Sequence, residues 1–203
     1  MEKMLMRLFL LTFLLFMPKD LFPQSGKSLD WQVQFIRERN RESMPISRSI
    51  MMETGERFRL IIKADNDCYC YVLVYDSEQN IYVWYNQAVK SGSGINLEPL
   101  KLSEPSGMET IYIVISFSRQ GELERLITLY NNSPSRQNTE NLYREIVRLQ
   151  NAASDLGEPA SAIVTSGGSF RDAVAPNSPD DEKEWATKFS GKDLYVRAIG
   201  IRH

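Results

Sequence analysis

Two cysteines, one histidine, a few clustered carboxylates and a concentration of aromatic rings are the residues of this chain whose types and spacing bear on chemistry. Cys68 and Cys70 stand at positions i and i+2, which on a strand puts both thiols on one face with Cα atoms about 6.5–7 Å apart. That separation is the stretched limit for a mutual disulfide, so the pattern fits two small buried side chains better than a redox pair or bonds to a partner chain. The one histidine, His203, is the last residue. A Ser-His-Asp or Cys-His arrangement would have to draw on it, and the expectation is a solvated side chain.

The other polar clusters read as turns or solvated loops. Asp65-Asn-Asp67 lacks the spaced oxygen ligands and closing Glu of a calcium loop. Asp180-Asp-Glu182 and Glu184 bring carboxylates together as hydrolysis would require, yet Lys183 lies among them in a polar stretch, the signature of a charged solvated run. Ser91-Gly-Ser-Gly94 has the small residues of a phosphate loop without its Lys or the following helix. No nucleophile elbow, Walker motif, dinucleotide fingerprint or zinc-spaced Cys/His set occurs. No catalytic residue, metal or cofactor is therefore expected. The aromatic set Tyr69, Tyr71, Tyr75, Tyr82, Trp84 and Tyr85 is mostly explained by cross-strand pairing. Tyr82 and Trp84, if exposed together, would form a platform for a glycan, peptide or protein partner.

The elements that must carry these residues are concentrated between Gly55 and Ser118. In residues 55–63, Phe58, Leu60 and Ile62 alternate with charged residues, the period-2 pattern of a half-buried strand. Cys68–Tyr75 is apolar or aromatic throughout, as expected for a strand covered on both faces. Asp76–Asn80 supplies a hairpin break. The return strand Ile81–Tyr85 places Ile81, Val83 and Tyr85 on one face and Tyr82 and Trp84 on the other. A short Ile95-Asn-Leu97 follows, and Glu109–Phe117 reads as a central strand.

Gly55 with its alternating apolar residues, the Asp65-Asn-Asp67 turn, the Tyr69–Tyr75 strand, Asn86 after the return strand, and Pro105-x-Gly107 leading into Ile111–Ser116 together resemble domain-of-unknown-function family 4384. The resemblance covers about a third of the chain. The family pattern favours Pro before the Asn86 position, where this chain has Tyr85. The resemblance implies an immunoglobulin-like antiparallel β-sandwich in bacterial envelope or secreted proteins, alone or attached to peptidase or kinase domains, and it carries no catalytic residues.

Beyond the strand block the period changes. Leu123, Leu126, Ile127 and Tyr130 share one face of a short helix over 121–130, and Asn131–Asn138 reads as a linker. Thr139 is placed to cap a second helix over about 140–154, with Leu142, Tyr143, Ile146, Val147 and Leu149 as its apolar stripe. Such a helix can bind a partner or a membrane, but packing on the sandwich is the simpler reading. Gly157 and Pro159 end it. Ser161–Thr165 is a strand candidate followed by the turn Ser166–Ser169, and 175–184 is a charged loop. In the final strand, 193–203, Tyr195, Ile199 and Ile201 share one face and Val196 and Ala198 the other, a pattern expected to be tied into a sheet.

At the start, Lys3 and Arg7 precede the apolar run Leu8–Met17, which rises only about 15 Å as a helix and falls short of the roughly 20 residues that span a bilayer. Residues 1–25 are read as a cleaved signal peptide, with an uncleaved membrane anchor as the alternative. No Cys follows the run, so a lipid-modified terminal cysteine is not expected. The formal net charge of −2 over 203 residues is too small and too mixed for a nucleic-acid surface. Residues 26–203 suffice for a single domain burying about 70% of its unfolded surface. The expectation is one exported domain: a mainly β, immunoglobulin-like sandwich with a family-like core over 55–118, a helical insertion over 121–156 and a terminal strand. It would serve as a non-catalytic binding or structural module of the cell envelope with a protein or glycan partner, or alternatively as an accessory subunit of a separate envelope peptidase or kinase.

Overall fold

The computed structural model describes residues 28–44, 46, 49–153, 160–165 and 184–203. Residues 1–25, read as a signal peptide, the expected turn Ser166–Ser169 and the carboxylates Asp180–Glu182 lie outside the described residues. Among the described residues, twelve strands form in chain order with two helices between the ninth and tenth. They are β1 (Leu29–Arg37), β2 (Glu42–Met44), β3 (Ser49–Met51), β4 (Arg57–Ala64), β5 (Cys68–Tyr75), β6 (Ile81–Val89), β7 (Gly94–Asn96), β8 (Leu100–Lys101), β9 (Met108–Ser116), α1 (Gly121–Asn132), α2 (Arg136–Ala152), β10 (Ala160–Thr165), β11 (Glu184–Gly191) and β12 (Leu194–Arg202).

Two sheets result. One runs β10-β11-β1-β4-β7, with β2 paired to β1 and β8 to β4; the other runs β3-β12-β9-β5-β6. The expected β-sandwich with packed helices is the observed architecture, although the second sheet is mixed because β12 pairs in parallel with β3. The facing surfaces interdigitate as alternation dictates. Trp31, Val33, Phe35, Phe58, Leu60 and Ile62 meet Cys68, Cys70, Val72, Ile113, Ile115 and Ile199 in one buried cluster. Its aromatic rings are ordered: Trp31 stacks on Phe189 at 4.5 Å and meets Tyr195 edge-on at 5.2 Å, while Phe35 stacks on Phe58 at 4.9 Å.

The outer face of the second sheet is covered by the helices. Tyr71, Leu73, Tyr112, Val114 and Val196 pack there against Leu123, Ile127, Leu142, Ile146 and Leu149. This double covering is why β5 carries no polar residue between Cys68 and Tyr75. Tyr71 fastens the start of α1. Its hydroxyl donates to Glu124 Oε1 at 2.8 Å and accepts from the Gln120 N–H at 3.0 Å, while Arg119 binds the same carboxylate at 2.6 Å. The Arg119 pairing holds Glu124 below the ordinary carboxylate range.

Several local readings are corrected. The strand signal is not confined to 55–118: β1 and β11 lie outside it and form the centre of the first sheet. The linker between the helices shrinks to Ser133–Ser135, because Ser135 caps α2 by accepting the Asn138 N–H at 3.2 Å. Thr139 is inside that helix, with its hydroxyl turned back to the Ser135 carbonyl at 3.1 Å. The return strand β6 runs on to Val89, so Asn86 sits within it rather than after it.

Candidate functional site

β6 is the edge strand of the five-stranded sheet and pairs with β5 alone among the described residues. Both of its ends are pinned. At the start, the Asn80 N–H donates to Asp76 Oδ1 at 2.7 Å and the Asp76 N–H to the Asn80 carbonyl at 3.0 Å. At the far end, Asp67 accepts the Ser91 N–H at 2.8 Å and Lys90 Nζ at 3.0 Å. These bonds hold the Asp67 carboxyl below its usual range. The Asp65-Asn-Asp67 turn is thus a clasp on the Lys90–Gly92 turn, where Gly92 adopts φ +74° and donates to the Ala64 carbonyl at 2.9 Å.

A bulge re-aims the aromatic side chains of β6. The register steps from Leu73↔Val83 to Val72↔Tyr85, so Trp84 is the extra residue. Tyr85 therefore turns to the sandwich side with Trp84 instead of joining Ile81 and Val83. Tyr82 and Trp84 differ sharply in exposure. Tyr82 is 55% exposed. Trp84 is half-buried, lies edge-on to Phe58 at 5.7 Å and donates its indole N–H to the Glu98 carbonyl at 3.0 Å. That bond ties the rim of one sheet to the other. The rim thus presents one free aromatic ring, with a fixed indole beside it, rather than two free rings.

Cys68 and Cys70 are unbonded and buried in the sandwich core. Burial, helped by the Asp67 charge, pushes the Cys68 thiol up to about 11, and burial pushes Cys70 up as well. Thiols held protonated in this way are poor nucleophiles and poor metal ligands. Thiol titration is expected to find both groups free after unfolding and both slow to react while the protein is folded. A monomer with no free thiol after unfolding would refute this assignment.

His203 is not a solvated chain end. Its side chain is 0% exposed, with Nε2 3.4 Å from Glu109 Oε1 and Nδ1 3.1 Å from Thr54 Oγ1. Its N–H donates to the Gly107 carbonyl at 3.1 Å. Gly107 is held tightly on the other side, since a Cβ there would come within 2.6 Å of Ser77 Cβ. Burial raises the Glu109 carboxyl above its ordinary value, with His203 opposing the rise. The imidazole bonds the Thr54 hydroxyl and lies near the Glu109 carboxylate, but the ring is enclosed. Its role in this geometry is to clasp β12 to the turns that precede β4 and β9. The sequence signal for this arrangement was weak, because Thr54, Glu109 and His203 are far apart in the chain.

An open cleft of about 400 Å³ lies at one end of the sandwich, lined by Arg37, Arg39, Asn40, Met51, Glu53 and Glu56 among others. Its charges are balanced: Arg37 Nε is 3.6 Å from Glu56 and Arg39 is 3.6 Å from Glu53. Among the described residues, no group of three or more His, Cys, Asp or Glu side chains could hold a metal, and no helix is long and apolar enough to cross a membrane. Compared with known proteins, the chain matches no family model, no curated protein and no solved structure.

Proposed function

We propose that the chain is a non-catalytic binding module of the bacterial cell envelope, exported on residues 1–25, that engages a protein or glycan at the β6 rim. The observation that carries this reading is Tyr82, a large aromatic side chain left 55% exposed on a strand whose two ends are fixed by hydrogen bonds. A rigid aromatic ring of this kind gives contact area at little entropic cost. The basic residues Lys3 and Arg7 ahead of the short apolar run Leu8–Met17 support the location.

The two rim aromatics separate binding from stability. Tyr82→Ser is expected to change stability by no more than about 0.5 kcal/mol, as exposed substitutions do, while reducing retention of the chain on its native envelope fraction. Trp84→Ser removes the contact with Phe58 and the bond to Glu98. It is expected to cost about 2 kcal/mol, below the 3–5 kcal/mol of a fully buried ring. Urea denaturation and envelope co-sedimentation check both substitutions. Undiminished retention of Tyr82→Ser would overturn the rim as the binding surface.

A further inference from the structure

The backbone of β6 carries information beyond its side chains. An edge strand leaves a row of N–H and C=O groups free, and proteins ordinarily protect such a row with Lys, Pro, other charges, short length or a covering segment. β6 has nine residues, Ile81-Tyr-Val-Trp-Tyr-Asn-Gln-Ala-Val89, with no charged residue and no proline. At the other end of the same sheet, β3 has only three. Among the described residues, the single protective device on β6 is the bulge at Trp84, which bends the first half of the strand. Tyr85–Val89 beyond it pairs in regular register with β5, and Gln87 and Ala88 at its centre are exposed.

We infer that this edge pairs with the same edge of a second copy of the chain, β6 against β6 in antiparallel register, centred on Gln87. The free ladder requires another extended backbone as occupant. The absence of charge favours a second copy. A two-fold axis at Gln87 sets Tyr85 opposite Val89 and Asn86 opposite Ala88, so no like charges meet and the β-favouring pair Tyr85–Val89 forms twice across the ladder. The five-stranded sheets join into one continuous sheet, with the two sandwiches side by side and both Tyr82 rings on the same face. The inference rests on the β6 rim being the binding surface and names its first partner.

Sedimentation velocity of the full chain over a concentration series tests it, together with hydrogen exchange of the 85–89 amides. The expected result is a reversible dimer, with those amides more protected at high concentration. Gln87→Lys sets two like charges face to face only in the dimer and is expected to weaken association at least about five-fold. At concentrations where both chains are monomeric, its melting curve should stay that of the parent. Leu129→Lys, at a position on α1 that is 42% exposed, should leave the dimer unchanged. A chain that stays monomeric throughout overturns the inference, as does a dimer indifferent to Gln87→Lys. Failure here is distinguishable from failure of the binding reading. A monomer whose envelope retention still depends on Tyr82 loses the pairing and keeps the rim.

Discussion

Deleting residues 193–203 is expected to abolish cooperative folding rather than merely weaken the protein. β12 lies inside the second sheet, between β3 and β9, and is antiparallel to β9 along its whole length. Its loss leaves the β12-facing backbone groups of β9, inside the sandwich, without partners and takes from β3 the strand it pairs with. It also removes Tyr195, Ile199 and Ile201 from the sandwich core and Val196 from beneath the helices. Replacing one such core residue by Ala costs about 2–5 kcal/mol. Four losses together, about 8–20 kcal/mol, match or exceed the roughly 5–15 kcal/mol by which a domain is stable. Soluble yield and the thermal unfolding of the truncated chain are the measurements. A truncated protein that still melts cooperatively within about 10 °C of the parent would mean that β12 is an appendage and that the sheet order is wrong.

The same strand shows what the sequence made legible. Its two apolar faces, Tyr195, Ile199 and Ile201 against Val196 and Ala198, are the faces found in the sandwich core and beneath the helices. The unbroken apolar run of β5 likewise signalled burial on both sides before its second cover was known. Such features are readable because alternation reports directly on which side water is excluded. β1 carries an equally clear alternation, with Leu29, Trp31, Val33 and Phe35 all buried, but it stands apart from the strand-dense block over 55–118. β11 was obscured by the charged stretch before it, and it is held by pairing with β1 and β10 rather than by local propensity.

The site was less legible than the fold, for a geometric reason. A bulge is a property of two strands, and nothing in Ile81–Tyr85 alone announces that Val72 faces Tyr85 while Leu73 faces Val83. The different exposures of Tyr82 and Trp84 depend on the path of the chain at Glu98, whose carbonyl receives the indole N–H. His203 was unreadable for the same reason, because its enclosure depends on Thr54 and Glu109, which only the folded sheet brings to it.

Ile146→Asp is the second change expected to have a large effect, and it decides what the helices are for. An amphipathic helix of this kind has two possible uses: covering its own sheet, or presenting an apolar face to a partner. Ile146 is 0% exposed and packs in one cluster with Leu142 and Leu149, against Tyr112 and Val114 of β9. Tyr143 of the same helix stacks on Tyr75 of β5 at 4.7 Å. A carboxylate at position 146 has no cation in that cluster to pair with, so burying it or pushing the helix aside is expected to cost about 4 kcal/mol or more. Leu129→Asp, on the exposed side of α1, is expected to stay within about 0.5 kcal/mol of the parent. Denaturant unfolding of both variants is the measurement. If Ile146→Asp left the midpoint unmoved, the helices would be detachable and the outer face of β5 and β9 would be open to another partner. If it collapses stability as expected, the helices are committed to covering the fold rather than offered to a partner.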